Sequence, residues 1–189
     1  MDTSLILSCR INDTKLALKL IENKANLDLQ DKYGWTALMW LCHSNNIEVA
    51  LKLIENKANI DLQNEKGWTA LICSCIYNNI NIALKLIENK ANLDLQSKYG
   101  NTALTISCYE NNIKIALKLI ENKANLDLQS NSGSTALMWS CRDNNTEIAL
   151  KLIENKANLD LQDNDGYSAL IWSCWNNNIK LISYLLEMY

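Results

Sequence analysis

The chain has 189 residues and a net charge of −3, with a sequence pI near 5.2, so it carries no basic surplus with which to follow a nucleic-acid backbone. Hydrophobic residues make up 48% of it, enough for a continuous core. Yet no apolar run approaches the ~20 residues of a membrane-spanning helix, and Met1–Arg10 lacks the basic start of a secretory signal. A soluble, intracellular (cytoplasmic) protein without nucleic-acid or membrane partners is expected.

A 33-residue unit recurs along the whole chain. Gly34, Gly67, Gly100, Gly133 and Gly166 are all five glycines and mark one column; Cys9, Cys42, Cys75, Cys108, Cys141 and Cys174 mark another. A fixed period of this length predicts an all-α repeat solenoid, in which each unit buries its apolar face only against its neighbours. The expected organisation is one domain over 1–189. Its repeats are 1–33 (an N-terminal cap), 34–66, 67–99, 100–132, 133–165 and a shortened cap at 166–189.

The second repeat shows how a unit is built. Thr36 suits a helix N-cap, and the helix should run from Ala37 to Ser44, with Leu38, Leu41 and Cys42 on one face and Trp40, His43 and Ser44 opposite. Asn45-Asn46 should end it, because Asn tolerates the left-handed conformation. A second helix is predicted from Ile47 to Asn56, with Ile47, Ala50, Leu51 and Ile54 at core spacing and Glu48, Lys52 and Glu55 on the solvent side. An extended loop, Lys57 to Gln63, then leads to the turn holding Gly67.

These residues resemble the ankyrin repeat. Gly34-Trp35-Thr36-Ala37-Leu38 is similar to the family's G-x-T-P-L opening, Glu48-Val49-Ala50 to the start of its second helix, and Ala58-Asn59-Ile60-Asp61 to its A-D-V-N. The resemblance recurs in register six times. It implies a stack of helix-turn-helix units joined by hairpin loops, whose hairpin tips and first helices line a concave binding groove. The sequence departs from the family at several columns. Ala37 and its counterparts replace Pro, and Met39, Ile72, Thr105, Met138 and Ile171 replace the His of T-P-L-H, so the hydrogen bond of that His should be absent. Lys57, Lys90, Lys123 and Lys156 stand where the family has Gly, at a strain of ~1 kcal/mol each if they keep a left-handed backbone. The Asn-, Lys- and Ile-rich wording is also similar to repeats of giant DNA viruses and intracellular microbes, which in that setting implies a host protein as partner.

Little points to chemistry. Stacked helices lie about 8–10 Å apart and a disulfide needs Cα atoms within about 7 Å, so a column of cysteines should stay unpaired and act as small apolar filler. Cys73 and Cys75 lack further zinc ligands nearby, and His43, the single histidine, has no repeated partner. The column Asp28, Asp61, Asp94, Asp127, Asp160 is expected to serve loop hydrogen bonding, since it repeats with the scaffold. Asn12-Asp13-Thr14 and Asn144-Asn145-Thr146 match a glycosylation pattern that an Asn-rich chain produces by chance. Neither cofactor, metal nor enzymatic activity is expected.

Comparing repeats separates copied residues from varied ones. The second helix and loop, IALKLIENKANLDLQ, return nearly verbatim. Variation falls on the tip and on the exposed first-helix positions, where the aromatics also gather: eleven of thirteen, with only Tyr184 and Tyr189 elsewhere. The candidate partner-binding residues are therefore Tyr33, Trp35, Trp40, His43, Lys66, Trp68, Ile76, Tyr77 and Lys98, followed by Tyr99, Tyr109, Glu110, Trp139, Arg142, Asp143, Tyr167, Trp172 and Trp175. Trp and Tyr anchor interfaces, which points to a protein or peptide partner; the alternative for Trp40, Trp139 and Trp172 is burial against neighbouring helices. Across these columns Arg10, Lys32, Lys66, Lys98 and Arg142 balance Asp2, Glu65, Glu110, Asp143 and Asp165, so no uniformly charged ligand is favoured. A monomeric interaction module is the leading expectation, and a structural or self-associating protein the alternative.

Overall fold

A computed structural model describes residues 3–188. Asp2, counted above among the charges, and Tyr189, counted among the aromatics, lie outside them. Among the described residues there are twelve helices, two per repeat, and a single isolated β-bridge between Gln30 and Thr36. The contacts group into two compact units, residues 1–98 and 99–189.

The first unit holds α1 (Ser4–Arg10), α2 (Thr14–Glu22), α3 (Ala37–Ser44), α4 (Ile47–Glu55), α5 (Ala70–Ile76) and α6 (Ile80–Glu88). First helices pack in a row, α1 on α3 on α5, and second helices in another, α2 on α4 on α6. The rows form because each repeat presents the same apolar stripe: Leu38, Met39, Leu41, Cys42, Val49, Ala50, Leu53 and Ile54 are all buried. Helix α3 begins where the hydroxyl of Thr36 accepts the N–H of Met39 at 3.2 Å, and ends at Asn45, whose φ is 54°. Asn46 does not prolong that end; it caps α4 by accepting the N–H of Val49 at 3.2 Å.

Lys24, Lys57 and Lys90 hold a left-handed backbone, with φ of 58°, 66° and 66°. The loop aspartates bond to the next repeat: Asp28 accepts the N–H of Asn59 at 2.7 Å and Asp61 that of Asn92 at 2.9 Å. Glutamines repeat the device, since the amide of Gln30 donates to the carbonyls of Gly34 and Gln63, and that of Gln63 to Gly67 and Gln96. At the tips, Glu65 N–H donates to Tyr33 and Lys98 N–H to Lys66. That last contact leaves no room for a side chain at Gly67, whose φ is +74° and whose Cβ would sit 2.8 Å from the Lys98 nitrogen.

The second unit holds α7 (Ala103–Tyr109), α8 (Ile113–Glu121), α9 (Ala136–Arg142), α10 (Thr146–Glu154), α11 (Ala169–Trp175) and α12 (Ile179–Glu187). It repeats the two rows, α7 on α9 on α11 and α8 on α10 on α12. Asp127 accepts from Asn158 at 2.8 Å, and Asn131 N–H donates to Tyr99. Thr105, which stands in the T-P-L-H histidine column, makes a bond of its own. Its hydroxyl accepts the N–H of Thr102 at 2.8 Å while its own N–H donates to the Thr102 hydroxyl, a reciprocal cap.

All seven cysteines are free thiols. The filler role holds from Cys9 to Cys141, which are buried, but not at Cys174, which is exposed because no described helix packs over that side of α11. Beside the cysteines runs a second buried column, Ser8, Ser74, Ser107, Ser140 and Ser173, each hydroxyl donating to a carbonyl three or four residues back.

Candidate functional site

In the first unit Trp35, Trp40, His43, Trp68 and Tyr77 form one connected cluster on α3, the turns before α3 and α5, and the end of α5. Trp35 lies 4.6 Å from Trp40 and meets Trp68 edge-on at 6.2 Å; His43 bridges Trp40 (6.0 Å) and Tyr77 (4.8 Å). The organiser is Asp31, a residue that comparing the repeats does not single out. One carboxylate oxygen accepts the backbone N–H of Tyr33 and Trp35 at 2.8 and 3.0 Å, and the other accepts the indole N–H of Trp40 at 3.1 Å. In the next repeat Asn64 holds the turn in the same way, accepting the N–H of Lys66 and Trp68.

Trp40 is thus neither free on the surface nor enclosed: it is half-buried, tethered at its nitrogen and in tilted ring contact with Trp35. Cations cover this cluster. The Lys66 ammonium stands 4.6 Å from the Trp68 ring centre, the Arg10 guanidinium 5.9 Å from Trp40, and Lys32 4.8 Å from Tyr33. Beside it opens a depression of about 570 Å³ lined by Thr3, Ile6, Leu7, Arg10, Gln30, Asp31 and Lys32. Of the other expected residues, Ile76 is half-buried, while Tyr33 and Lys98 are exposed at the tips.

The second unit builds its cluster around an arginine. Arg142 lies 3.8 Å from the Trp139 ring centre, with Tyr109 at 5.7 Å and Trp172 at 6.0 Å, and its Nε donates to Asp143 at 3.1 Å. Tyr109 meets Trp139 edge-on at 5.0 Å. Tyr167, Trp172 and Trp175 form a second group, 5.2 to 5.9 Å apart, in which Trp175 is 68% exposed. Asp163 acts there as Asp31 does in the first unit, accepting the indole N–H of Trp172 at 3.0 Å and the backbone N–H of Tyr167 at 2.9 Å. Trp139 has Ser130 nine residues before it instead of Asp, and Arg142 covers its ring. Tyr99 and Glu110 are exposed outside these groups.

The buried thiols are poor nucleophiles: burial pushes Cys9, Cys42 and Cys141 up to about 12 and Cys73 well above its ordinary value. Among the described residues no group of three or more His, Cys, Asp or Glu is placed to hold a metal ion, and no helix is long and apolar enough to cross a membrane.

Helix pairs stacked in two rows, joined by tight glycine turns and repeated every 33 residues, define a helical repeat solenoid. The model for ankyrin repeats (three copies) matches residues 1–64, 49–130 and 117–189, so the chain belongs to the ankyrin repeat family. Its fold is similar to that of EF0377, an ankyrin repeat protein, with a TM-score of 0.87 and 25% identity over 100% of this chain and 98% of that one. It is also similar to an ankyrin repeat domain (ABAYE2397) from Acinetobacter baumannii AYE, with a TM-score of 0.90 and 25% identity over 98% and 97% of the two chains. No curated protein matches the sequence. Ankyrin repeats are generally protein–protein interaction modules, and the family is typically non-enzymatic.

Proposed function

We propose that the chain binds a protein or peptide partner on its aromatic tip-and-first-helix surfaces. The observation that carries this reading is the half-exposed cluster of Trp35, Trp40 and Trp68, set on a scaffold whose core is already filled by Leu, Ile, Ala and Cys. Large aromatics held in fixed orientations lose little conformational freedom on binding, which is why such residues dominate interface energetics. In a virus or intracellular microbe the partner would be a host protein. A lysate pull-down tests the reading: Trp68→Ala or Trp175→Ala should lose about 2 kcal/mol or more of binding, roughly thirtyfold in affinity, while remaining folded. Glu55→Ala, on the copied outer face, should change nothing. Capture of the same partners by both tryptophan variants would place the binding surface elsewhere.

A second reading, association between copies, is favoured by apolar side chains exposed on the first and last repeats, among them Ile11 and Ile179. Light scattering over a range of concentrations separates the two readings, because a monodisperse monomer counts against self-assembly.

A further inference from the structure

We propose that the aromatic cluster of the first unit takes an acidic peptide segment carrying an apolar anchor, an inference that rests on the interaction reading above. Summed over all the varied columns the charges balance, but taken unit by unit they separate. Arg10, Lys32 and Lys66 stand over Trp40, Tyr33 and Trp68, and Lys98 is exposed at the next tip. Of the two acids in the same columns, Asp2 lies outside the described residues, which leaves Glu65; Asp31, just before Lys32, keeps its charge but has both oxygens turned to the N–H groups of Tyr33, Trp35 and Trp40. The corresponding columns of the second unit hold Glu110, Asp143 and Asp165 against one base, Arg142, itself paired with Asp143, while Asp163 is bound as Asp31 is. The two aromatic surfaces therefore select for opposite charge, and the first is the cationic one.

An ammonium or guanidinium held against an indole keeps N–H donors for a carboxylate, so rings and cations can act together on one ligand residue pair. The depression beside Arg10 and Lys32 has an apolar wall of Ile6 and Leu7, which suits an aliphatic or aromatic side chain next to the carboxylate. A single-stranded nucleic acid, the other polymer that rings and bases attract, fits less well. Residues 1–98 hold eleven basic and eleven acidic side chains, so no basic track leads a phosphate backbone across the unit, and the rings of Trp35, Trp40 and His43 already pack on one another.

A random-peptide phage library selected on the full chain at low salt tests this. Enriched sequences should place Asp or Glu beside an apolar residue. A synthesised winner, followed by fluorescence anisotropy, should weaken with added salt and lose roughly tenfold in affinity to a Lys32→Glu/Lys66→Glu variant whose melting curve is unchanged. Basic or uncharged winners that still depend on Trp68 would overturn the charge inference and leave the interaction reading standing. Winners indifferent to both the lysines and Trp68 would overturn both. Oligo(dT) bound more tightly than any peptide, and released by the same lysine reversals, would make the surface a nucleic-acid site instead.

Discussion

The copied and varied halves of each repeat obey different rules. The second helix and its loop return almost word for word, and their polar groups hold the stack together. Asp28 and Asp61 tie loop to loop, Gln30 and Gln63 tie turn to turn, and Lys52 pairs with Glu55 at the surface. The first helix and tip vary, and there the polar groups position aromatic rings: Asp31 holds Trp40, Asp163 holds Trp172, and Arg142 lies on Trp139. In a solenoid, stability is a sum of repeat and interface terms, so the faces that both helices bury between repeats are constrained in every unit, while the outward positions of the first helix and tip are free to diverge.

Emptying a core position of the copied half should have the largest effect. Leu53 is fully buried between stacked repeats. Leu53→Ala should cost about 2–5 kcal/mol, since the cavity it leaves has rigid walls on both sides, and Glu55→Ala should stay within about 0.5 kcal/mol. Urea unfolding of the two variants measures the contrast. A wild-type midpoint for Leu53→Ala would mean that the copied half does not carry the stack.

The glycine column separates backbone strain from crowding between tips. Gly67 and Gly166 share a positive φ, +74° and +82°, but only Gly67 is crowded, by the backbone of the following tip; a Cβ on Gly166 meets nothing within 4 Å. Alanine at either site should cost about 1–2 kcal/mol for the left-handed backbone. Gly67→Ala should lose up to about 1.5 kcal/mol more, because the Lys98 N–H must move off the Lys66 carbonyl. Equal midpoints for the two variants would show that the tip-to-tip bond contributes nothing.

How far the sequence revealed all this follows the same division. Period and the first helix were legible because each is stated several times over, and the α3 range of Ala37–Ser44 and the buried Leu38–Cys42 face are as the spacing predicts. The register of the second helix was read less well: Ile47 and Leu51, expected in the core, are only half-buried, and Val49 and Leu53 join Ala50 and Ile54 there instead. The organisers of the aromatic clusters were not. Asp31 and Asp163 each precede a bonded tryptophan by nine residues, yet their column also holds Asn64, Ser97 and Ser130, so it reads as ordinary turn variation unless compared pairwise with the Trp40 column. The inter-repeat glutamine bonds were hidden for the opposite reason: a residue copied in every unit gives no contrast to read. The reciprocal cap of Thr102 and Thr105 was hidden because Thr105 alone in its column carries a hydroxyl, beside Met39, Ile72, Met138 and Ile171.

The smallest effect tests whether the copied half is also optimised. Lys57 keeps φ at 66°, where a side chain crowds its own backbone by about 1–2 kcal/mol. The turn does not need the lysine: its bonds run from the Lys57 N–H to Ile54 and from the Ala58 N–H to Leu53, both backbone to backbone, and glycine would preserve them. Against the relieved strain stands the larger conformational entropy of glycine in the unfolded chain, roughly 0.5–1 kcal/mol. The balance should leave Lys57→Gly more stable by a few tenths to about 1 kcal/mol, read as a higher urea midpoint with an unchanged slope. Lys52→Gly, inside α4, should instead lose about 1 kcal/mol, because there the same substitution relieves nothing. Lys123→Gly repeats the test in the second unit, where φ is 67° and the bonds run to Ile120 and Leu119. If both turn variants fall with Lys52→Gly, the left-handed lysines are not strained, and the copied loop holds them for a contact that backbone geometry alone does not express.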